Sequence, residues 1–584
     1  MVQTISTNQA IPVKGPIPTD VPRVVVATLK RAEQLKAKKQ PWLDQYQLLG
    51  EFVHMRKQEF QQENTAGEFL TRDIFDPSAP KAAKTAASTL MSLLWPNTKN
   101  RFKFYPSDLL DGTTEEKEYF KEATKRQLRV MDDPKAGFAI ATGEYLLDQV
   151  VFGTSGTETV KDDLTKVRYT PWGVGHMSIA EGRHGQVDTV YLEIKLDNQT
   201  LVKNYGLENV SEKTRDEFNE GKFDIEKIVI IAIEPRITKV QGGMGNKNMP
   251  FSSVHIEKES KHLLKESGFE EMPITVTRIT KLLGEVYGRS LAMDALPDIL
   301  QSNALWESVM IAVEKSLDPP LGVYSDGTLG GGEIDTSAGA ISVFNPSDQA
   351  KDRAPIFPLF TVGEFRQMKE LLAVLSERIS NHFLIDRLLD FNNETRMTAT
   401  EATLRDRMRS ATLGQMFNIQ INSYFIPQVE RTFNILLDSG DLGVPAGSLE
   451  AEEPGAFVIP ATIVELMVAG EDIYRLEFFT PATRIMQSEE AEGILRTAEL
   501  AKVYVELGKL DVLDRIDADT NIQLYGAIVG APEEGFHTDE EVQDAKEAQD
   551  AEQEANSLLD SGATIAEGMR NAGQSGLMPT TKPQ

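Results

Sequence analysis

Apolar residues recur at steps of three and four through several long stretches of the chain, and at steps of two or in short unbroken runs elsewhere. Residues 21–65 read as charged and helical, with a break near Pro41, because proline lacks the backbone N–H a helix interior uses. A small-residue helix follows over 82–94 and stops at Trp95-Pro96-Asn97. Residues 114–150 read as a further helix, with Phe120, Ala123, Leu128 and Val130 on a charged background. From 167 to 237 the pattern becomes short alternating or β-branched runs, including 187–192 and 228–233. Turn residues Asp197-Asn198 and Asn204-Tyr205-Gly206 separate them, which predicts a β-rich insert.

Helical spacing returns at 294–317, with Pro297 expected in the first turn. Asp318-Pro319-Pro320 stops that helix, and the turn-rich stretch after it carries Gly327, Gly330-Gly331-Gly332, Gly339 and Asn345-Pro346. A second helix is expected over 361–389, its stripe formed by Phe365, Met368, Leu372, Leu375, Ile379 and Phe383. After the polar break 390–394, Thr398 can cap a new helix while Glu401 reaches back to the cap. That helix is expected to run to about Ser439, kinked at Pro427, a length of roughly 60 Å. Residues 455–480 read as strand-like, and a helical region follows from Gln487.

At 584 residues the chain has room for about four structural units. There are no cysteines, which removes disulfides and thiolate chemistry from consideration. The first 20 residues read as a polar arm rather than a signal peptide. The longest apolar run, 228–233, is far short of the ~20 residues a membrane-spanning helix needs. The expectation is a soluble, unexported protein without a membrane. With 89 acidic and 61 basic residues the formal charge is −28, which opposes tight nucleic-acid binding yet suits a wall past which phosphate must slide.

A search for chemistry finds no constellation. The phosphate-loop pattern GxxxxGK[ST] and the GxSxG elbow are absent, and Gly242–Gly245 lacks the strand-to-helix setting of a phosphate loop. None of the seven histidines falls in an HExxH-type pattern. His255 and His262 read as a solvated lysine-rich face, and His382 as a core or interface residue. Arg396, Arg405, Arg407 and Arg409 read either as lying near DNA or across a subunit boundary, or as exposed helix arginines paired with Glu394, Glu401 and Asp406. Trp95 and Trp306 read as packing residues. No catalytic residue, metal ligand or cofactor is assigned, and the expectation is that the protein is not an enzyme.

Four segments in order carry a resemblance. They are Ala86-Ala-Ser-Thr-Leu-Met-Ser-Leu-Leu-Trp-Pro-Asn97 with Arg101-Phe-Lys-Phe-Tyr-Pro106; Val151-Phe-Gly-Thr-Ser-Gly156 ahead of Glu181-Gly-Arg-His-Gly-Gln-Val-Asp-Thr-Val190; Tyr287-Gly-Arg-Ser290; and Glu394-Thr-Arg-Met-Thr-Ala-Thr-Glu401. Over about residues 20–480 this arrangement resembles the portal (head-to-tail connector) proteins of short-tailed, podovirus-type bacteriophages. The resemblance implies a mixed α+β, mainly α, elongated portal fold with wing, stem, clip and crown, assembled as a dodecameric ring around a central channel.

Mapped onto this chain, it implies a flexible arm at 1–20 and a wing at 21–290 with the β-rich insert at about 165–270. Stem helices are implied at 291–317 and 361–389, with a clip between them at 318–350. A tunnel loop at 390–397 would precede the wing return at 398–484, and a crown with a barrel or mobile tail would occupy 485–584. The implied DNA-facing residues are Asp390, Asn392, Asn393, Glu394 and Arg396. The implied docking residues of the clip are Pro319, Pro320, Tyr324, Gly330, Gly331 and Gly332.

The implied partners are further copies of the chain, double-stranded DNA in the channel, terminase, tail adaptors, and capsid and scaffolding or internal core proteins. The implied location is the head-tail junction of the virion, after assembly in the host cytoplasm. The competing expectations are another phage structural component, such as a stopper or tail tube subunit, and a DNA-processing enzyme.

Overall fold

The computed structural model describes residues 22–55, 60–61, 67, 70–71, 73–98, 100–237, 245–324, 334–344, 356–359, 365–389, 413–446, 457–507, 521–522 and 524–526. It is a mixed α and β structure in which helical residues predominate among those described. The chain divides into two compact units, Met1–Thr483 and Arg484–Gln584.

The first unit opens with α1 (Arg23–Phe52) and α2 (Ser78–Leu94), then β1 (Phe102–Pro106), α3 (Thr114–Met131) and α4 (Phe138–Phe152). Contrary to the expected break, α1 continues through Pro41. Tertiary contacts outweigh the local penalty. Val25, Leu35, Leu43, Tyr46 and Leu49 are all buried along the helix, and the ammonium of Lys39 donates to the carbonyls of Val174 and, at 2.8 Å, Gly175. Burial, with Lys36 nearby, pushes the Lys39 amine down to about 7.

The single helix expected over 114–150 is two. Pro134 cannot extend α3, Asp133 takes the N–H of Lys135 in a turn, and Gly137 enters α4 with φ +82°.

Within the β-rich region the strands begin at Thr154, ahead of the alternating runs read from 167. β2 (Thr154–Asp162) lies between β3 (Lys166–Gly173) and β9 (Ile274–Arg278) in one antiparallel sheet. The second sheet is also antiparallel. It comprises β4 (Met177–Glu181), β5 (Val187–Asp197), β6 (Glu226–Pro235), β7 (Phe251–Glu257) and β8 (His262–Phe269) in sequence order, with α5 (Asn198–Tyr205) and α6 (Glu212–Asn219) between β5 and β6. The unbroken apolar run 228–233 belongs to β6 because both faces of this sheet are covered. Ile230 and Ala232 pack with Val25 and Leu35 of α1, while Val229 and Ile231 pack with Leu201 and Val210.

His255 and His262 lie on β7 and β8; His262 keeps a partly exposed ring 3.1 Å from the Asn209 carbonyl oxygen, while His255 departs from the expected solvated face. The His255 ring bonds Tyr205 Oη at 2.8 Å and Ser253 Oγ at 3.1 Å, and burial, with Lys265 nearby, pushes it down to about 4. Burial won over the charged local sequence because β7 pairs on both sides.

α7 (Leu291–Leu317) leads to a three-stranded sheet of β10 (Leu321–Tyr324), β11 (Ile341–Phe344) and β12 (Ile356–Pro358), with β10 in the centre. α8 (Phe365–His382) and α9 (Ile385–Leu389) replace the continuous helix expected over 361–389. The chain turns at Phe383-Leu384, where Leu384 adopts φ +57° and Phe383 is buried. Next come α10 (413–420), a π-turn (Ile421–Phe425) and α11 (Ile426–Asp438). β13 (Val444–Pro445) pairs with β14 (Val458–Ile459), and β1 pairs with β15 (Tyr474–Phe478). The stretch expected to be strand-like at 455–480 contains α12 (Ala461–Ala469), whose Ile463 is buried. α13 (Pro481–Glu506) follows, and its body forms most of what is described of the second unit.

Two of the quoted segments cross in space. Gly153 closes α4 with φ +75°, and a Cβ there would lie 2.6 Å from the carbonyl oxygen of Gly288. A Cβ on Gly288 would lie 2.6 Å from the oxygen of Gly153. Around this contact the N–H of Gly288 donates to Thr154 Oγ1 at 2.8 Å. Ser290 Oγ donates to the Val151 carbonyl at 2.7 Å and accepts the N–H of Met293, capping α7.

Gly288→Ala should therefore cost about 3 kcal/mol, since backbone blocks the added carbon on both chains. Gly221→Ala, with φ +81° but open space around it, should cost about 1 kcal/mol. Denaturant melts of the two variants give the comparison. His255 supplies a pH test. Its folded value lies below the ordinary 6.5, so its contribution is complete above about 6.5 and is lost as pH falls towards about 4. Between pH 7.5 and 5 the wild type should lose about 2 kcal/mol more than His255→Gln.

Candidate functional site

α7 is built in two halves. Its first turns carry the buried Ala292, Met293, Ala295, Leu296 and Ile299, and this packing holds Pro297 in the second turn rather than the first. The buried part ends at Ser302 and Asn303. Asn303 Oδ1 accepts the N–H groups of Phe75 and Asp76 at 2.8 and 3.2 Å, its Nδ2 donates to the Asp73 carbonyl, and Ser302 Oγ donates to Asp76. Beyond them no residue of α7 is buried, although the sequence stays apolar. Met310, Ile311 and Leu317 are 55%, 47% and 82% exposed.

α8 runs back antiparallel to α7, its His382 Nε2 lying 3.4 Å from Asp298 Oδ2. Of the expected stripe, Leu372, Leu375, Ile379 and Phe383 are buried, and Met368 is partly exposed. A second apolar ridge on α8, Leu371 and Val374, is exposed. It is hidden in the sequence because a helix with two apolar faces reads as one broad stripe.

The small sheet at the far end of α7 is compact. Pro320 is buried, and its carbonyl accepts the N–H of Leu359 at 2.8 Å. Tyr324 stacks against Phe357 at 5.0 Å, and Gly322 lies under that same ring, where a Cβ would meet it at 2.6 Å. Pro319 and Tyr324 are half-buried. Ile334, Ile341 and Ile356 point outward, each more than half exposed. Gly330, Gly331 and Gly332 lie outside the described residues, as do Asp390, Asn392, Asn393, Glu394, Arg396, Thr398, Glu401 and Arg405–Arg409.

The helix carrying Pro427 packs on β2 through polar side chains rather than apolar ones. Tyr424 Oη sits between Thr142 Oγ1 at 3.2 Å and Thr157 Oγ1 at 3.1 Å, and Tyr145 Oη donates to Gln420 Oε1 at 2.7 Å. Thr159 Oγ1 donates to Gln428 Oε1, Tyr169 Oη meets Thr432 Oγ1 at 2.7 Å, and Arg431 Nε donates to the Thr159 carbonyl at 2.7 Å. The Tyr145 and Tyr424 rings stack at 3.6 Å, and burial pushes the Tyr424 phenol up to about 12.

The irregularity of this helix lies ahead of Pro427, in the π-turn, and the helix is regular on both sides of it. The Ser423 carbonyl, which an N–H at position 427 would serve in an α-helix, accepts instead from Thr277 Oγ1 at 3.0 Å. Trp95 packs in the core, stacked on Phe425 at 5.6 Å with the Arg101 guanidinium over it.

Among the described residues no group of three or more His, Asp or Glu is placed to hold a metal ion. No described helix is long and apolar enough to cross a membrane.

Residues 26–536 match the family described as bacteriophage head to tail connecting protein. A probable portal protein of Bordetella phage BPP-1 is 25% identical over 557 residues, covering 92% of this chain and 94% of that one. The portal protein of Salmonella phage epsilon15 is 22% identical over 565 residues, covering 93% and 94%. A chain from the virion of a native gene transfer agent particle aligns at a TM-score of 0.29 and 12% identity, covering 71% of this chain and 95% of that one.

Tyr424→Phe should strand the Thr142 and Thr157 hydroxyls in a dry seam and cost about 2 kcal/mol in a denaturant melt. A change under 0.5 kcal/mol would show that the seam admits water.

Proposed function

The chain belongs to the family of bacteriophage head to tail connecting proteins, and from that premise we propose that it is a portal subunit of the virion. About twelve copies close into a ring at one capsid vertex, and double-stranded DNA enters and leaves through the central channel. α7 and α8 are the stem. The segment 318–350 between them is the clip that meets terminase during packaging and tail adaptors afterwards, with Pro319, Pro320, Tyr324 and Gly330–Gly332 as its docking part. Asp390, Asn392, Asn393, Glu394 and Arg396 face the DNA as a tunnel loop. Residues 21–290 and 398–484 form the wing, and 485–584 the crown. The protein works as a conduit without catalysis of its own, at the head-tail junction, after assembly in the host cytoplasm.

One observation carries this reading: the far half of the α7–α8 hairpin exposes Met310, Ile311, Leu371 and Val374 without a cover. Exposed apolar side chains of this kind on a long helix pair suit a contact with another chain. A hairpin flanked by identical hairpins on both sides covers two such faces at once, as a closed ring requires. The formal charge of −28 per copy supports the conduit, because a net acidic protein repels phosphate and favours passage over adhesion. The phage BPP-1 and epsilon15 relatives, a probable portal protein and a portal protein, support it as well.

Electron microscopy of the purified protein tests the reading, with Ile311→Asp and Leu371→Asp beside the wild type. End-on rings with an open centre are expected for the wild type. Each variant should lose the rings while its monomer melts within about 1 kcal/mol of the wild-type monomer. Rings that survive both substitutions would remove α7–α8 from the subunit contact.

A further inference from the structure

Within the first unit a groove of about 1350 Å³ runs beside α10 and α11, with β9 and the chain leading into β15 as its other walls. Met272, Met416, Ile419 and Met467 give it apolar lining. One end is acidic, where Glu271, Glu430, Glu471 and Asp472 converge. The cation among them, Arg431, is already committed to the Thr159 carbonyl and to Glu271, whose carboxylate also takes the Asn434 amide. Glu430, Glu471 and Asp472 have no ion-pair partner among the described residues. Burial, together with the charges of Glu271 and Asp472, holds the Glu430 carboxyl above the usual range, so this end of the groove is short of positive charge.

The same unit carries the opposite surface. On α3 the buried face is Tyr119, Phe120, Ala123, Gln127 and Leu128, which leaves Lys117, Lys121, Lys125 and Arg129 exposed at successive four-residue steps. That ridge is about 18 Å long. Lys125 has Glu122 at 3.8 Å, while Lys117, Lys121 and Arg129 have no ion-pair partner among the described residues. Lys103 lies close enough to Lys121 for the like charge, after burial, to lower its amine.

α11 stands between the two surfaces. On its α3 side the Val429 carbonyl accepts the Gln127 amide at 2.7 Å, and Glu430, Asn434 and Leu437 line the groove. Ridge and groove are therefore available together on one copy.

We propose that the α3 ridge of one copy seats in the α10–α11 groove of the next. This rests on the ring-forming reading above and names a second contact surface for it, apart from α7–α8. A head-to-tail ring needs two different, mutually complementary surfaces on each copy, and ridge and groove are such a pair. Copies with a formal charge of −28 repel one another, and because salt screens charge beyond about 8 Å, local pairing at the contact decides whether they close. Lysine stems suit methionine-lined walls while their ammonium groups reach the carboxylates at the end.

The absence of cysteine makes the test direct. Lys121→Cys and Asp472→Cys are placed in one chain, rings are formed, and a short bismaleimide is added. A covalent ladder extending past the dimer is expected. Each single variant alone should give no ladder, and an equal mixture of the two should stop at dimers. In a parallel set, Lys117→Glu/Lys121→Glu/Lys125→Glu should lower ring yield at least tenfold, and adding Glu471→Lys/Asp472→Lys should restore it.

Wild-type rings with no ladder, together with full ring yield from the triple reversal, overturn the proposal and leave the portal reading standing. A wild type that never forms rings fails the portal reading itself. Two further results also overturn the proposal by naming another occupant. One is a triple reversal that weakens binding to duplex DNA while rings persist. The other is a groove cysteine that joins a cysteine at Arg405 of its own chain.

Discussion

The first unit depends on one backbone contact, the crossing of Gly153 over Gly288. No side chain fits there, because a Cβ on either residue would lie 2.6 Å from the other's backbone. Three elements start or stop at that point. α4 ends on the left-handed Gly153, β2 leaves it at Thr154, and α7 is capped two residues past Gly288 by Ser290. The hydrogen bonds of Gly288 to Thr154 and of Ser290 to Val151 tie these elements together. The direction in which α7 departs is therefore set by a contact about 130 residues apart in sequence, and the exposed far half of the hairpin inherits it.

From this crossing the β2 sheet offers its face to the helix carrying Pro427, and the join is made of hydroxyl and amide groups. Such a seam costs little while every group is paired and much when one is lost. Directional bonds also fix where the helix sits along the strand, which a greasy interface would leave looser. The freed Ser423 carbonyl shows the same economy: proline withdraws a donor, and Thr277 on the neighbouring strand supplies another.

Much of this was legible beforehand, and the misses share causes. The β-rich region, the helix read over 294–317 and found over Leu291–Leu317, and the buried positions Leu372, Leu375, Ile379 and Phe383 follow from period and turn chemistry, which are local. Pro41 and Pro297 were misplaced because packing along α1 and α7 outweighs a local rule. Pro134 divides α3 from α4, and the apolar spacing on either side of it reads as one helix. His255 looked solvated because its neighbours in sequence are charged, while its neighbours in space are Tyr205 and Ser253. The quoted segments around Gly153 and Tyr287 were recognisable separately, but nothing in a one-dimensional pattern reveals that they touch. The groove beside α11 was likewise invisible, since elements distant in sequence build it, whereas the lysine ridge on α3 is a local four-residue period.

A chain of this kind makes sense only in company. On the proposed reading, the exposed apolar residues of α7 and α8 and the unpaired charges beside them are costs for a monomer that identical neighbours in a ring would cover. The central claim is that α7 and α8 line the channel of such a ring, and a cryo-electron microscopy map at helix resolution tests it most directly. The account predicts a ring whose inner wall is α7 and α8, with Met310, Ile311, Leu371 and Val374 buried between adjacent copies. A ring with those helices on its outer rim, or their apolar faces still in solvent, would contradict it.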